Sequence, residues 1–292
     1  MSSIICAGEV MVELAREPGA ASYRLDYAGD TYNTAIYLAR AGCEVRYLTR
    51  LGDDKHSHAI LARLTDEGLK TDEVSLDAGR SPGLYLIEND EDGERHFHYW
   101  RDNSPARQLF DAAIELPQVD AFYFSGITLA ITSSGWDRLD TLLSGLRKRG
   151  TRLIFDPNYR PRLWPDIATA RDQCRRVLSH CDTVLPTLED DRALWGLDTL
   201  SDSIDFYREL GCREIAVKGD DLVATVWTPE ARLERRARPV QALDTTGAGD
   251  SFNAAYLAAR LAGLALEESV RAAQRLAATV VQHRGAVVPR DT

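Results

Sequence analysis

The chain has 292 residues, of which 44% are apolar and 27% charged, a balance that suits a globular protein with one large core and an appendage to it. Its net charge of −10 argues against nucleic acid or an anionic membrane as partner, since the long-range field repels both, but says nothing against a small anion held by a local cluster of arginines. Five cysteines (Cys6, Cys43, Cys174, Cys181 and Cys212) form no close CxxC pair or Cys/His ligand set, and no apolar run reaches membrane-spanning length, so buried thiols and a cytoplasmic setting are expected.

In chain order, Ile4 to Val10 reads as a buried strand ending in Gly8-Glu9, and Tyr23 to Tyr27 as a short amphipathic strand. A helix is expected from Thr31 to Arg40, a strand from Glu44 to Arg50 and a helix from His58 to Glu67. Gly83 to Arg101 breaks the alternation. Two apolar runs, Leu84-Tyr85-Leu86-Ile87 and His96-Phe97-His98-Tyr99-Trp100, flank the polar stretch from Glu88 to Glu94, which is a hairpin pattern. With the Tyr23 strand it makes a small β appendage suited to covering a site; His96 and His98 are read as part of that cover, not as metal ligands.

Strand–helix alternation then resumes: strand 121–125, helix 136–148, strand 152–156, helix 168–179, short strand 183–185, helix 204–210 and strand 215–218. A second hairpin spans 223–228 and 233–238, and Ala-rich helices span 250–262 and 266–282. Such alternation implies a mainly parallel sheet covered on both faces, with its site beyond the carboxyl ends of the strands. Gly8-Glu9, Ser125-Gly126, Asp156-Pro157-Asn158 and Lys218-Gly219 all fall at such ends.

The most informative stretch is Asp244-Thr245-Thr246-Gly247-Ala248-Gly249-Asp250-Ser251-Phe252-Asn253. Amides from Gly247, Ala248 and Gly249 at the start of a helix make an anion-binding turn, and Asp250 sets a carboxylate beside it. That pairing suits a base that takes a proton from an attacking hydroxyl while amides hold the developing phosphoryl charge. No Gly-Lys-Ser/Thr follows a glycine run, so a Walker-type loop is not supported; nor does the single glycine of Gly8-Glu9 support a dinucleotide site. The run closely resembles the second signature of the ribokinase-like, or PfkB, carbohydrate kinases. Ala28-Gly29-Asp30-Thr31-Tyr32-Asn33-Thr34-Ala35, with Gly42 and Gly52 after it, resembles the first signature, with Ala28 standing where a second glycine is usual.

The resemblance covers essentially the whole chain. It implies one ribokinase-like domain over 1–292: an α/β three-layer sandwich with a mainly parallel central sheet and a small β-sheet lid formed by about 11–30 and 83–108. It implies Asp250 as catalytic base, an anion hole at Gly247, Ala248 and Gly249, and a sugar site including Gly29, Asp30 and Asn33. Tyr85, Tyr99, Arg101 and Arg160 are the further sugar-side candidates. The two arginines favour an acid sugar, whose carboxylate a guanidinium binds bidentately, and the set resembles that of the 2-keto-3-deoxygluconate kinases within the family. The nucleotide side is assigned to Asn158, Arg160, Lys218, Gly219 and the 247–249 turn, with adenine against Ala272 to Val280 and the Gly285-Ala286-Val287 loop.

ATP and Mg2+ are the implied cofactors. Glu189 or Asp190 is the candidate to meet the metal through water, with neither preferred, and a K+ requirement stays open. The expected partners are the acid sugar and ATP, and a homo-oligomer, a dimer or higher, is expected through the lid. A fructokinase, ribokinase or nucleoside kinase of the same family is the alternative, and a noncatalytic sugar-binding regulator the alternative of another class.

Overall fold

A computed structural model describes residues 2–17, 20–89 and 95–290. The strands are β1 (Ser3–Ala7), β2 (Met11–Arg16), β3 (Tyr23–Ala28), β4 (Glu44–Gly52), β5 (Val74–Asp77), β6 (Leu84–Asn89) and β7 (Arg95–Trp100), then β8 (Ala121–Ser125), β9 (Arg152–Asp156), β10 (Thr183–Val184), β11 (Glu214–Lys218), β12 (Val223–Thr228) and β13 (Ala231–Arg236). The helices are α1 (Asp30–Arg40), α2 (Lys55–Asp66), α3 (Gly126–Ile131), α4 (Trp136–Lys148), α5 (Ile167–Leu178), α6 (Leu188–Trp195), α7 (Leu200–Glu209), α8 (Ala248–Leu261) and α9 (Leu266–Val280).

Nine strands form the main sheet in the order β13-β12-β11-β10-β9-β8-β1-β4-β5. All pairs are parallel except β11–β12 and β12–β13. Its central strands are apolar on both faces, and period-two alternation divides them between two cores. Ile5, Phe122, Phe124, Leu153 and Phe155 pack on the side of α4, α5, α6 and α7, where Leu139, Leu143 and Leu146 recur at helical spacing. Ile4, Cys6, Tyr123 and Ile154 pack on the other side, against α1, α2, α8 and α9. The chain leaves β1 for β4 on one side and returns to β8 on the other, so strand order reverses at β1, the place where a crevice opens in such sheets.

The lid is a second sheet of order β3-β2-β6-β7, with β2–β6 parallel and the other two pairs antiparallel. Its inner face packs Met11, Ala28, Tyr85 and Ile87 on Ala286 of the main domain. Its outer face leaves Leu25 and Trp100 exposed. The polar turn expected between the two hairpin strands lies, at 90–94, outside the described residues.

The sequence reading missed several elements. The chain leaves β1 at Ala7 and starts a separate strand, β2, at Met11, so the single strand expected through Val10 is shorter than read. The short elements β5, α3 and α6 were also missed. Arg101, the last residue of the segment read as a hairpin, lies just past the end of β7. The five cysteines are free thiols, four of them buried and Cys43 half-buried. Among the described residues no helix is long and apolar enough to cross a membrane.

Candidate active site

The two signature segments meet because α1 packs on α8. Asn33, one turn into α1, donates from Nδ2 to Asp250 Oδ2 at 2.8 Å, and Thr34 Oγ1 donates to the Asp250 carbonyl at 3.3 Å. The turn before α8 needs its glycine: Gly247 has φ 76° and caps the helix, and a Cβ there would lie 2.7 Å from the Ala286 carbonyl oxygen. No side chain caps α8, so the helix end opens beside Asp250. One of the three amides expected in the anion hole, that of Ala248, turns back to Thr245 O at 3.2 Å. Gly29 is equally constrained, since a Cβ on it would lie 2.1 Å from Glu9 O.

Three carboxylates converge below this turn. Asp30 Oδ2 accepts from Asn158 Nδ2 at 2.8 Å, and Asp156 Oδ2 accepts from Asn253 Nδ2 at 2.7 Å. Lys218 Nζ donates to Asn253 Oδ1 at 2.8 Å and stands 3.7 Å from Asp156. Burial, then the charges of Asp30 and Asp156, push the Asp250 carboxyl up to about 8, against the Asn33 hydrogen bond and Lys218, which hold it down. Burial also raises Asp30. A carboxyl poised near neutrality is suited to proton transfer. Asn158 holds a positive φ of 32° in this cluster, a strained backbone position for a residue that carries a catalytic neighbourhood's hydrogen bonds.

The structure relocates some candidates. The side chain of Asn158, assigned to the nucleotide side, is bonded to Asp30, an acid of the first signature. Lys218 is tied into the acid cluster and is no loose surface charge. Asp156 and Asn253 were not singled out as site residues, although Asp156 ends a core strand and Asn253 follows Asp250 at i+3 on one helix face.

On the lid side, Tyr85 and Tyr99 are cross-strand partners with ring centroids 5.7 Å apart, and the Arg101 guanidinium lies 5.7 Å from the Tyr99 ring centroid. The hydroxyl of Tyr85 donates to buried Glu13, and Arg101 is buried in an ion pair with Glu9. The sequence reading placed Glu9 at a strand end without giving it a role and did not single out Glu13. Arg160 Nη1 bonds Asp190 Oδ1 at 3.2 Å and the Tyr159 carbonyl at 2.8 Å.

A cavity of about 400 Å³ adjoins the Gly249 end of α8. Lys218, Gly219, Thr245 and Ala248 are among its lining, with Val223, Val240, Ala277, Ala278 and Val281 on its apolar surface. A flat base with a phosphate chain suits this shape. The α9 face expected against adenine does line it, but the Gly285-Ala286-Val287 loop does not. Ala286 is instead buried under the lid, its carbonyl accepting from the Tyr37 hydroxyl at 2.8 Å. Of the two acids proposed for the metal, Asp190 is occupied: it closes a cap with Thr187 at 2.8 Å and pairs with Arg160. Glu189 is exposed and lines the cavity. Among the described residues no three His, Cys, Asp or Glu side chains gather to hold a metal.

A mainly parallel α/β sandwich, an uncapped helix end beside a raised carboxyl and a β lid together define a phosphotransferase of the ribokinase type. The pfkB family carbohydrate kinase model matches residues 1–292, and the chain belongs to that family. Its relatives include 2-dehydro-3-deoxygluconokinase from Escherichia coli K12, 37% identical over 99% of this chain and 97% of that one. Among solved structures, the PfkB protein from Polaromonas sp. JS666 superposes with a TM-score of 0.87 at 29% identity, covering 98% and 97% of the two chains. A putative ribokinase II from E. coli, in complex with ATP and Mg2+, has the same fold, with a TM-score of 0.85 at 22% identity over 98% and 94% of the chains.

Proposed function

We propose that this protein transfers the γ-phosphoryl group of ATP to the 6-hydroxyl of 2-keto-3-deoxygluconate. The observation that carries the reading is the opposed chemistry of the two sides of one crevice: a raised carboxyl, Asp250, at a helix end, and guanidinium charge from Arg101 and Arg160 gathered around Tyr99 on the lid side. The name of the E. coli relative supports the same substrate.

In this reading the sugar lies between the lid and α1, with Gly29, Asp30, Asn33, Tyr85, Tyr99, Arg101 and Arg160 around it. Asp250 accepts the proton of the attacking hydroxyl, and Asn33 holds its carboxylate in place. The 247–249 turn and Lys218 face the phosphate chain, and the apolar cavity against α9 takes the base. Mg2+ would arrive with ATP and supply charge neutralisation at the phosphates; of the two exposed carboxylates that line the cavity, Asp220 is paired with Arg192 and Glu189 would meet the ion through water. Closure of the lid excludes water as a competing acceptor. The exposed outer face of the lid, with Leu25 and Trp100, is the face proposed to join two copies.

The test is initial-rate ADP release with 2-keto-3-deoxygluconate, fructose, ribose and adenosine. The acid sugar should have the highest kcat/KM. Equal efficiency with fructose would refute the carboxylate argument.

A further inference from the structure

Asp250 on α8 is followed one turn later by Asn253, whose side chain is fully buried. Its Nδ2 donates to Asp156 Oδ2 at 2.7 Å and to the Tyr123 hydroxyl at 3.3 Å, and its Oδ1 accepts from Lys218 Nζ at 2.8 Å. A carboxylate only accepts and an ammonium only donates, so a single orientation of the amide satisfies both. The other oxygen of Asp156 is also engaged, Oδ1 accepting from the Asn158 N–H at 3.2 Å.

Lys218 ends β11 and lines the cavity assigned to the nucleotide. Its ammonium stands 3.7 Å from Asp156 Oδ2, beyond hydrogen-bond reach, with the Asn253 amide bonded to both groups. An ammonium and a carboxylate this close in a buried site attract strongly, and direct contact would commit the Lys218 charge to Asp156. A neutral amide held by both groups satisfies each of them without that contact. It takes one of the three ammonium donors and leaves capacity for phosphate oxygens at the cavity.

We propose that Asn253 is a positioning residue of the phosphoryl transfer: its amide takes the place of a direct Lys218–Asp156 ion pair and so keeps the Lys218 ammonium available to the phosphate chain of ATP. The inference rests on the reading that Lys218 faces that chain, and names the residue that keeps it there. The helix that presents Asp250 to the sugar hydroxyl then also sets the cation that meets the phosphates.

The experiment is a double-mutant cycle read by calorimetry of a nonhydrolysable ATP analogue with Mg2+. It uses Lys218→Met, Asn253→Ala, Asn253→Leu and each Asn253 variant combined with Lys218→Met. Alanine leaves a cavity and leucine does not, so either folded protein closes a cycle. Lys218→Met should weaken the analogue about 10- to 100-fold, the range for one lost charge-assisted hydrogen bond. Asn253→Ala and Asn253→Leu should each lose about tenfold or more. In the Lys218→Met background the same substitutions should change affinity less than about twofold, because Asn253 acts through the ammonium. The KM for the sugar at saturating ATP should stay within about twofold of wild type in the Asn253 variants. Losses that simply multiply in the double variants, or wild-type affinity in the single Asn253 variants, would mean that Asn253 serves only the core, and only this inference falls. Unchanged affinity in Lys218→Met overturns it together with the placement of Lys218 at the phosphates.

Discussion

Replacing Asn33 with leucine should move the pH dependence of the reaction more than its ceiling. Leucine keeps the branched shape of asparagine, though it is bulkier, and removes the donor that reaches Asp250 Oδ2 at 2.8 Å. That bond is one of the forces holding the Asp250 carboxyl down to about 8 against burial and the neighbouring acids. A hydrogen bond to a charged group contributes about 1.5–3 kcal/mol. At about 1.4 kcal/mol per pH unit, its loss moves the midpoint up by about one to two pH units. The assay is kcat/KM for the sugar from pH 6 to 10, since that ratio follows the base in the free enzyme. Below the midpoint each pH unit costs about tenfold, so Asn33→Leu should be about 10- to 100-fold slower at pH 7 and approach wild type at high pH. A uniform loss at every pH would refute the reasoning, because Asn33 would then position substrate without tuning the base. A wild-type midpoint near 4 would refute it more deeply, since the carboxylate cluster would not be raising Asp250 at all.

Asp250→Asn should lower turnover by about 10²-fold or more while an ATP analogue still binds in calorimetry with near-normal affinity. The same substitution bears on stability: the folded state holds the Asp250 proton up to about 8, while the unfolded chain releases it near 4. Wild-type stability from this group therefore falls as pH rises through that window, and urea melts of Asp250→Asn should show a flatter dependence between pH 5 and 8. Glu9→Gln strips the partner from buried Arg101 and should cost about 3–5 kcal/mol in a denaturant melt; an unchanged midpoint would mean that Arg101 finds another acceptor. Amide exchange in β6 and β7 should slow on adding sugar, while β9 stays protected throughout. Faster lid exchange on dilution would reveal association through its outer face, and no concentration dependence would count against it.

The main sheet was legible because its strands are fully apolar and alternate with periodic helices, and the two signatures carried the site. What escaped has specific causes. The segment Met11-Val12-Glu13-Leu14-Ala15-Arg16 is a strand whose inward Glu13 is buried under the Tyr85 hydroxyl and the Arg24 guanidinium, so its polarity hid its burial. Helix α6 opens with Thr187 and Asp190 as a capping pair, so that of the two acids read there as metal candidates Asp190 is engaged in the cap at the start of the helix. The partners that neutralise Arg101 and Arg160 lie 92 and 30 residues away in sequence, distances over which no local pattern reports. A guanidinium can be located from sequence; whether it is already neutralised is a property of the fold.

The main sheet is open, and its two edges differ from its interior. Edge strand β5 has four residues, and on edge strand β13 Arg232, Glu234 and Arg236 all face solvent. A charged outer strand resists pairing with a strand from another molecule, because docking would strip water from all three side chains at once. The protection has a functional side. The chain passes from β13 directly into Ala237 and Arg238, which line the cavity assigned to the nucleotide. A strand added at this edge would adjoin the segment that lines that cavity, so charges that discourage edge pairing also stand beside the cavity. Exchanging the three for valine should therefore produce both aggregation and a weakened grip on ATP in whatever fraction stays dispersed.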